Sequence, residues 1–452
     1  MRLDQLRTQA LRYLALGDFA RALVVYERVL AALPDDLDTR MRVADVLAQI
    51  GQRELAQRVY AAVAFYDLQG GRALHGLVAI QALADLGHDV APLKRALAQI
   101  YGAGSPKIAR VGARLAPPPP DSEVAPPDLS RPLGSPPKDG GAVDPRSGLE
   151  EAALAAAGIA ADTRSISQFP DQFPPVPLLS ELSEAAFARV LGAATVHRLG
   201  HGTPIVRAGE AGDAFYFLAA GEARVFTVEA DGREVELGRL HEGAIFGEMA
   251  LVNAEPRSAN VAVVGSADVI AVGRRALQAV ADELPAVAAA LDRFTRDRLL
   301  KNLLSTSPLF RPFSPQQRLD LVAKFSGHDV VPGREIIREG DEGRGLYLLL
   351  SGEVEVRRGQ PPFDAHIATL HPGDCFGEIS VLRGQPAMAT VVATRRSSVL
   401  FLAREYFQRL IEALPAIRQM FEAMTAERLA AVAAAEERAG TADGDVDSRF
   451  LF

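Results

Sequence analysis

The stretch from Gly247 to Ser258 contains the residue types that bind a phosphate group. Gly247 has no side chain, so a bound group can approach its backbone closely. Met249 and Ala250 belong to a predicted short helix, and the first N–H groups of a helix favour an anion. Arg257 supplies a guanidinium fork that can pair with two phosphate oxygens, and Ser258 can donate one further hydrogen bond. The spacing therefore predicts an anion-binding loop.

An acidic residue, Glu248, stands inside this loop. A carboxylate beside a phosphate is favourable if it accepts a hydrogen bond from a sugar hydroxyl, as acidic residues do towards ribose in dinucleotide-binding folds. Each residue also has a purely structural explanation, because Gly247 could serve a tight turn, Glu248 could cap backbone amides and Arg257 could form a surface salt bridge. The combination favours a nucleotide ligand over three unrelated structural roles.

The segment FGEMALVNAEPRSANV, which begins at Phe246, resembles the phosphate-binding cassette of cyclic nucleotide-binding domains. The resemblance implies that Glu248 holds the ribose 2′-hydroxyl and that Arg257 neutralises the cyclic phosphate. It also implies a base contact from the helix after the barrel, for which Thr295 is our candidate. Ser258 after Arg257 resembles the bacterial cAMP-responsive activators, and we expect cAMP rather than cGMP as the ligand. We also expect a bacterial chain and no cofactor.

A second copy of the cassette, FGEISVLRGQPAMATV, begins at Phe376, 130 residues after the first. Gly377 and Glu378 match the glycine and glutamate of the first copy, but Ala387 and Met388 stand where the first copy has its arginine and serine. A hydrogen bond to a charged group contributes about 1.5 to 3 kcal/mol. We therefore predict that this degenerate second pocket does not bind cyclic mononucleotide at useful concentrations and serves docking or dimerisation.

Alternatives remain for both pockets. Arg383 could replace the missing cation of the second copy, although it aligns with Asn253 rather than with Arg257. The family that the cassettes resemble also contains barrels that no longer bind a ligand. We expect Cys375, the single cysteine, to be a small core residue, because no second cysteine exists to resolve an oxidised form.

The two cassettes lie within longer repeated segments, since PLLSELSEAAFARVL from Pro177 matches PLFRPFSPQQRLDLV from Pro308. In each copy, short aromatic and aliphatic runs separated by glycines indicate a compact antiparallel barrel, and helical segments follow. We expect a multidomain chain with two β-roll or jelly-roll barrels and flanking helices, each of α+β class. The expected boundaries are residues 176–304 for the first barrel domain, 305–440 for the second and 441–452 for an acidic tail.

A shorter repeat occupies the N-terminal region, where Gly17, Ala22, Tyr26 and Val29 recur 34 residues later. The stretch from Gly17 to Pro34 resembles a tetratricopeptide helix pair, with a turn glycine, small residues at the helix crossing and a proline after the second helix. Residues 71–102 could form a third, degenerate unit or a capping pair. We expect an all-α helical repeat over residues 1–114 that binds an unknown protein partner; a generic helical bundle is the alternative.

Residues 115–175 predict a disordered linker, because ten prolines lie between Pro117 and Pro145. This composition cannot bury enough apolar surface to fold. We expect the alanine-rich segment Leu149–Ala161 to be a short helix floating in the linker. The prolines could keep the modules on the two sides independent.

Composition and motifs exclude several functions. The net charge of −8 gives no general attraction to nucleic acid, and a single cysteine fits a reducing cytoplasm. No apolar run approaches the roughly 18 to 20 residues of a membrane span, and we expect no signal peptide. The histidines show no metal-binding spacing, no catalytic motif is present, and no helix-turn-helix follows the second barrel. We expect a cytoplasmic protein without enzymatic activity, metal, nucleic acid or membrane.

The sequence thus predicts a regulatory or adaptor protein that binds a cyclic mononucleotide in its first barrel and is a possible homodimer. Two other functions remain: an interaction scaffold in which both barrels are structural, and a regulatory subunit of a separate enzyme. Against the second of these, the linker segment before the first barrel contains no adjacent basic pair followed by serine or alanine that could act as a pseudosubstrate.

Overall fold

Residues 1–109 of the computed structural model fold into successive helix pairs. The structure describes residues 1–109, 124–127, 145–164, 169–229, 231–247, 256–306, 310, 313–359 and 365–442. Gly17 and Gly51 turn the chain within the first two pairs, with φ of 75° and 81° that glycine adopts without steric cost. The helices are α1 (Leu3–Ala15), α2 (Phe19–Ala32), α3 (Leu37–Gln49), α4 (Arg53–Gly70), α5 (Ala73–Asp85) and α6 (Ala91–Tyr101).

The alanine, tyrosine and valine positions that recur every 34 residues in the sequence are buried between these helices. Aspartates cap two of the helices, because Asp18 accepts from the Arg21 amide and Asp36 accepts from the Thr39 amide. The predicted helical repeat is confirmed, and α5 with α6 supplies the third helix pair. The buried repeat residues are Ala22, Tyr26 and Val29 in the first pair and Ala56, Tyr60 and Val63 in the second.

The alanine-rich segment after the proline-rich stretch forms a helix, α7 (Pro145–Ala160), that packs on α2, α3 and α4. The prediction of a disordered linker with a floating helix is therefore wrong for residues 145–164 and 169–175; residues 110–123, 128–144 and 165–168 lie outside the described part. Small side chains allow the helix to approach the repeat closely, so the segment finds a partner for its apolar face. The buried face of α7 consists of Ala152, Ala153, Ala156, Ala157 and Ala160.

A buried arginine, Arg40 of α3, holds the C-terminal end of α7. Its guanidinium donates to the carbonyl oxygens of Pro34, Ala160 and Asp162 at distances of 2.7 to 3.0 Å. The hydroxyl of Tyr66 donates to the same Asp162 carbonyl at 3.1 Å. A cation at the last carbonyls of a helix is favourable because those groups lack partners within the helix.

The first barrel follows α8 (Glu184–Gly192), whose N-terminus Ser183 caps. Its antiparallel strands run in the order β1-β6-β3-β4, with β2 beside β6 and β5 beside β3. Bulges bend β3 where it passes β6, and Gly221 is required there because a Cβ atom would lie 2.1 Å from the Ser266 carbonyl oxygen. The elements are β1 (Ala194–Gly200), β2 (Pro204–Val206), β3 (Ala214–Val228), β4 (Glu234–Leu240), β5 (Ile245–Phe246), β6 (Asn260–Gly273), α9 (Arg274–Glu283) and α10 (Pro285–Thr306).

The second barrel consists of two four-stranded antiparallel sheets in the orders β11-β10-β13-β8 and β12-β9-β14-β7. The predicted fold class is confirmed, because both copies are antiparallel barrels with flanking helices. The strands are β7 (Ser326–Val330), β8 (Glu335–Ile337), β9 (Gly345–Ser351), β10 (Val354–Arg358), β11 (Ala365–Leu370), β12 (Cys375–Phe376), β13 (Thr390–Ala393) and β14 (Ser397–Ala403). The helices are α11 (Pro315–Val322), α12 (Glu378–Arg383), α13 (Arg404–Ala413) and α14 (Pro415–Ala442).

The described residues divide into two compact units, Met1–Asp292 and Arg293–Phe452. The first unit contains the helical repeat, α7 and the first barrel, and the second contains the second barrel. None of the helices in the described part of the chain has the length and apolarity needed to cross a membrane.

Within the first unit the helical repeat contacts the first barrel directly through ion pairs. Arg72, at the start of α5, pairs with Asp38 at 2.9 Å and with Glu242 of the barrel at 3.1 Å. Arg198 of β1 pairs with Asp45 of α3. The expectation that the prolines leave these two modules independent is therefore wrong, because the modules share a polar interface.

We expect Arg40→Met to lower the free energy of unfolding by about 3 kcal/mol, since three buried carbonyl groups lose a charged donor. Urea denaturation measures this change, and hydrogen exchange reports whether the amides of α7 lose protection. Arg58→Met is the matched control, because Arg58 lies exposed on α4. Equal stability losses in the two variants would contradict the role assigned to Arg40.

Candidate functional site

The first cassette begins at the end of β5, where the backbone turns at Gly247 with a φ of 80°. Phe246, just before it, is buried and stacks on Tyr216 with ring centroids 5.3 Å apart. The far end of the loop is anchored by backbone hydrogen bonds of 2.8 Å, in which the Arg257 amide donates to Glu210 and the Arg257 carbonyl accepts from Gly209. These bonds fix the Cα position from which the arginine side chain extends.

The guanidinium of Arg257 is buried beside the glycine turn and makes its hydrogen bonds to backbone carbonyls. It donates to the carbonyl oxygens of Gly247 at 2.7 Å and of Ala214 at 2.5 Å. Among the described residues, the one carboxylate within 4 Å is that of Asp213, at 3.9 Å, and this side chain is 88% exposed. The cation is thus held next to the loop without a close anionic partner in the described part of the chain.

Arg257 also lies over the ring of Tyr216, with its central carbon 5.7 Å from the ring centroid. Burial raises the pKa of the Tyr216 hydroxyl, and the charge of Arg257 opposes this rise. Glycine is favoured at position 247 by the φ of 80°, and a Cβ atom there would also lie 2.7 Å from Nη1 of Arg257. The turn glycine and the arginine therefore lie in direct contact, and anion binding by this loop stays a prediction.

Of the other predicted ligand-binding residues, only some lie in the described part of the chain. Glu248, Met249 and Ala250 lie outside the described residues, so their roles stay predictions. Ser258 follows Arg257 at an exposed position. Thr295 lies on α10, but its side chain is outside the described part, and its contact with a base also stays a prediction.

The second cassette preserves the backbone frame of the first. The Ala387 amide donates to the carbonyl of Asp341 and the Ala387 carbonyl accepts from Gly340, again at 2.8 Å, as Arg257 does in the first barrel. Gly377 has a φ of 85°, and a Cβ atom there would lie 2.8 Å from the Gly345 carbonyl oxygen. Ala387 thus occupies the position of Arg257, as the alignment predicts, and the cation is absent from that position.

Two cavities lie near Ala387, one open and one apolar. A cavity of about 510 Å³ lies beside Gly345, Tyr347 and Gly377, next to the backbone groups that correspond to the acceptors of Arg257. A smaller cavity of about 120 Å³ is lined by Ala387 and Met388. Arg383, considered as a replacement cation, is exposed at the end of α12 and does not line either cavity.

The glutamate of the second cassette is paired inside the domain. Glu378 is 1% exposed, and its Oε1 accepts from Nη1 of Arg428 on α14 at 2.7 Å. The same nitrogen donates to the carbonyl oxygen of Cys375 at 2.6 Å. Oε2 of Glu378 is buried and makes no hydrogen bond to another described residue. An arginine of the C-terminal helix thus binds one oxygen of Glu378, the carboxylate that matches Glu248, to which the resemblance assigns a ribose hydroxyl.

Burial dominates the electrostatics around this pair. Burial raises the pKa of Glu378, while the charge of Arg428 opposes the rise. Burial, together with the nearby Glu378, raises the pKa of the Cys375 thiol to about 12. The cysteine is buried beside Phe376 and stays protonated, which agrees with its predicted place in the core.

Arg428 is the residue that reasoning from the motif alone does not find. The internal repeat nevertheless contains a signal, because Thr295 and Arg298 of α10 recur at the offset of 130 as Thr425 and Arg428 of α14. Extending the alignment through the helices after the barrels would have selected an arginine and a threonine in each copy. Thr425 is buried, although it does not line the small cavity.

Residues 196–283 and 328–413 match the cyclic nucleotide-binding domain, and residues 13–80 match the tetratricopeptide repeat. The chain therefore contains two cyclic nucleotide-binding domains preceded by tetratricopeptide-like repeats. These are the two resemblances that the cassettes and the 34-residue period predict.

Among similar proteins are three cAMP-dependent protein kinase regulatory subunits. The protein of Hypocrea atroviridis is 30% identical over 243 residues, covering 52% of this chain and 50% of the relative. That of Colletotrichum orbiculare is 30% identical over 245 residues, covering 52% and 60%, and that of Yarrowia lipolytica is 30% identical over 272 residues, covering 57% and 65%. The chain thus spans between half and two thirds of these relatives. All three are eukaryotic proteins and give no support to the expected bacterial origin.

We expect Arg428→Met to lower the free energy of unfolding at pH 7 by about 3 kcal/mol, because it leaves a buried carboxylate without its cation. Urea denaturation of the full chain measures the change. The deficit should shrink as the pH falls towards 5: the pKa of Glu378 is raised in the folded state, so protonation favours that state.

Arg418→Met is the matched control for this measurement. Arg418 lies on the same helix, is 57% exposed and pairs only with the exposed Glu422 among the described residues. Combining Arg428→Met with Glu378→Gln should restore most of the lost stability. A deficit that persists in the double variant would rule out the unpaired carboxylate as its cause.

Proposed function

We propose that this chain is a non-catalytic regulatory protein that senses a cyclic mononucleotide through its first barrel. The observation that carries the proposal is the buried guanidinium of Arg257, which donates to two carbonyl groups beside the Gly247 turn and has no close carboxylate partner among the described residues. A buried charge is costly unless an opposite charge pairs with it. A cyclic phosphate supplies that charge and matches the two-pronged geometry of the guanidinium.

cAMP is the proposed ligand in preference to cGMP. Two considerations support this choice: Ser258 directly follows Arg257, and the similar proteins are named as cAMP-dependent kinase regulatory subunits. In the proposed complex, Glu248 accepts from the ribose hydroxyl, Arg257 pairs with the phosphate and α10 supplies the base contact through Thr295.

A ligand at Arg257 is also well placed to affect the helices after the barrel. The Arg257 side chain donates to the carbonyl of Ala214, and the carbonyl of the preceding residue, Asp213, accepts from the amide of Arg274 at 2.6 Å. Arg274 is the first residue of α9. We propose that ligand binding acts on α9 through this end of β3. Such an effect requires a second arrangement of α9 for which the ligand has a different affinity.

The helical repeat is proposed to bind a protein partner. The contacts that the repeat makes with α7 and the first barrel limit the surfaces on which this partner can bind. The first barrel contacts α3 and α5, while α7 covers α2 and also contacts α3 and α4. A partner helix that binds on α2 must therefore displace α7. The second barrel is proposed to serve docking or dimerisation rather than cyclic nucleotide binding, because it lacks the arginine.

A second candidate function is the regulatory subunit of a separate kinase. The names of the similar proteins and the tandem arrangement of two barrels favour it. The absence of a pseudosubstrate-like basic pair in the linker sequence argues against it. Co-purification of the full chain with a kinase, released by cAMP, would favour this candidate over a free-standing adaptor.

Arg257→Ala should weaken cAMP binding by about 100-fold or more, because two hydrogen bonds from a charged donor are lost. Calorimetry on the full chain measures the affinity and should give one cAMP per wild-type chain. Arg233→Ala, an exposed arginine on the β3–β4 hairpin of the same barrel, is the control and should bind like wild type. Equal cAMP affinity in the Arg257→Ala variant would refute the proposed function.

Ala387→Arg should create a second cAMP site, raising the stoichiometry from one to two per chain. The new guanidinium would meet the carbonyls of Gly345 and Gly377, which correspond to the acceptors of Arg257, and the adjacent open cavity gives it room. Ala387→Met adds similar bulk without charge and should leave the stoichiometry at one. If neither variant gains a site, the missing arginine is not what prevents cyclic nucleotide binding in the second barrel.

A further inference from the structure

The second barrel contains a small, largely apolar cavity at the place where the first barrel has its cyclic nucleotide pocket. Its volume is about 120 Å³, and its apolar lining comes from both the barrel and the C-terminal helix α14. An engineered apolar protein cavity of about 150 Å³ binds benzene, so this cavity has the size of a single ring. Its principal apolar side chains are Ile337, Val356, Leu370, Phe376, Met388 and Leu429.

One polar group in this cavity has an unmet hydrogen-bonding requirement. Glu378 lines the cavity and is 1% exposed, and only its Oε1 is engaged by Arg428. Its Oε2 is buried and bonds to no other residue in the described part of the chain. Buried polar atoms are rarely left without a partner, and each exception calls for an explanation. A bound molecule with a hydroxyl or amino donor would supply the missing partner.

The charges around the cavity select against an anion. Among the described residues that line it, Glu378 and Arg428 are the charged ones, and they neutralise each other. Ala387 and Met388 supply no charge where the first barrel has Arg257 and Ser258. Transferring an ion into such a site would leave its charge unpaired, whereas a neutral molecule avoids that cost.

We propose that the second barrel binds an uncharged, mainly apolar molecule of about one ring that carries a hydrogen-bond donor to Oε2 of Glu378. This site is independent of the function proposed for the first barrel. It recognises a donor through a buried carboxylate and apolar shape, and Arg428 holds the carboxylate in place by pairing with the other oxygen.

Three matched probes test the proposal on the full chain. Phenol carries the donor, toluene replaces it with a methyl group of similar size, and phenyl phosphate carries an anion. The readout is the ¹³C-methyl signal of Met388, one of six methionines, identified by its disappearance in Met388→Leu. Phenol should bind and shift this signal, and phenyl phosphate should bind at least tenfold more weakly than phenol.

Two variants separate the carboxylate from the cavity. Glu378→Met should lower the ratio of phenol affinity to toluene affinity about tenfold or more, because a hydrogen bond to a charged group is lost. Ala387→Leu fills the cavity without touching the carboxylate and should abolish binding of both probes. Glu405→Gln, an exposed glutamate on α13, should bind both probes like wild type.

The outcomes decide the proposal even if Glu378→Met does not fold, because the probe series and Ala387→Leu are independent of that variant. Absence of any Met388 shift by phenol, or phenol binding that survives in Ala387→Leu, would overturn the site. Tighter binding of phenyl phosphate than of phenol would overturn its selectivity for a neutral ligand. None of these readouts depends on cAMP binding by the first barrel.

Discussion

A charge that is buried in a protein interior must be matched by an opposite charge, and this constraint accounts for the difference between the two barrels. In the first, the buried cation Arg257 donates to the carbonyls of Gly247 and Ala214, and the one carboxylate within 4 Å in the described part of the chain is that of the exposed Asp213. In the second, the buried anion Glu378 receives its cation from Arg428 of the same domain. The second barrel thus pairs its buried charge within the domain, whereas the described part of the first barrel supplies no close anionic partner for Arg257.

The two arrangements share the same backbone geometry at both described ends of the cassette loop. The loop of each cassette starts at a glycine in the left-handed conformation and ends at a residue fixed by two backbone hydrogen bonds. An arginine at that end gives an anion site, whereas alanine gives apolar space. Because Arg428 pairs with Glu378, losing either partner is costly, and this pairing explains how the glutamate can remain buried within the domain.

The sequence was sufficient to predict the features that depend on local geometry or on internal repetition. The alignment of Ala387 with Arg257 and the 34-residue helical period both followed from spacing. Contacts between distant segments did not follow, because a spacing rule carries no information about tertiary partners. Arg428 lies 50 residues from Glu378 and Arg40 lies 120 residues from Ala160. The alanine face of α7 carries no charge pattern that would indicate its partner, and the prolines before it are typical of disordered chain.

These distant contacts alter what the helical repeat can do. A repeat joined by a free linker would present its surfaces to partners irrespective of the barrel, but here Arg72 and Arg198 form ion pairs between the repeat and the barrel. The same β3 strand starts at the Arg257 acceptor Ala214 and passes α5 further along its length. One strand of this unit thus contacts both Arg257 and the repeat, which connects the two without involving the linker.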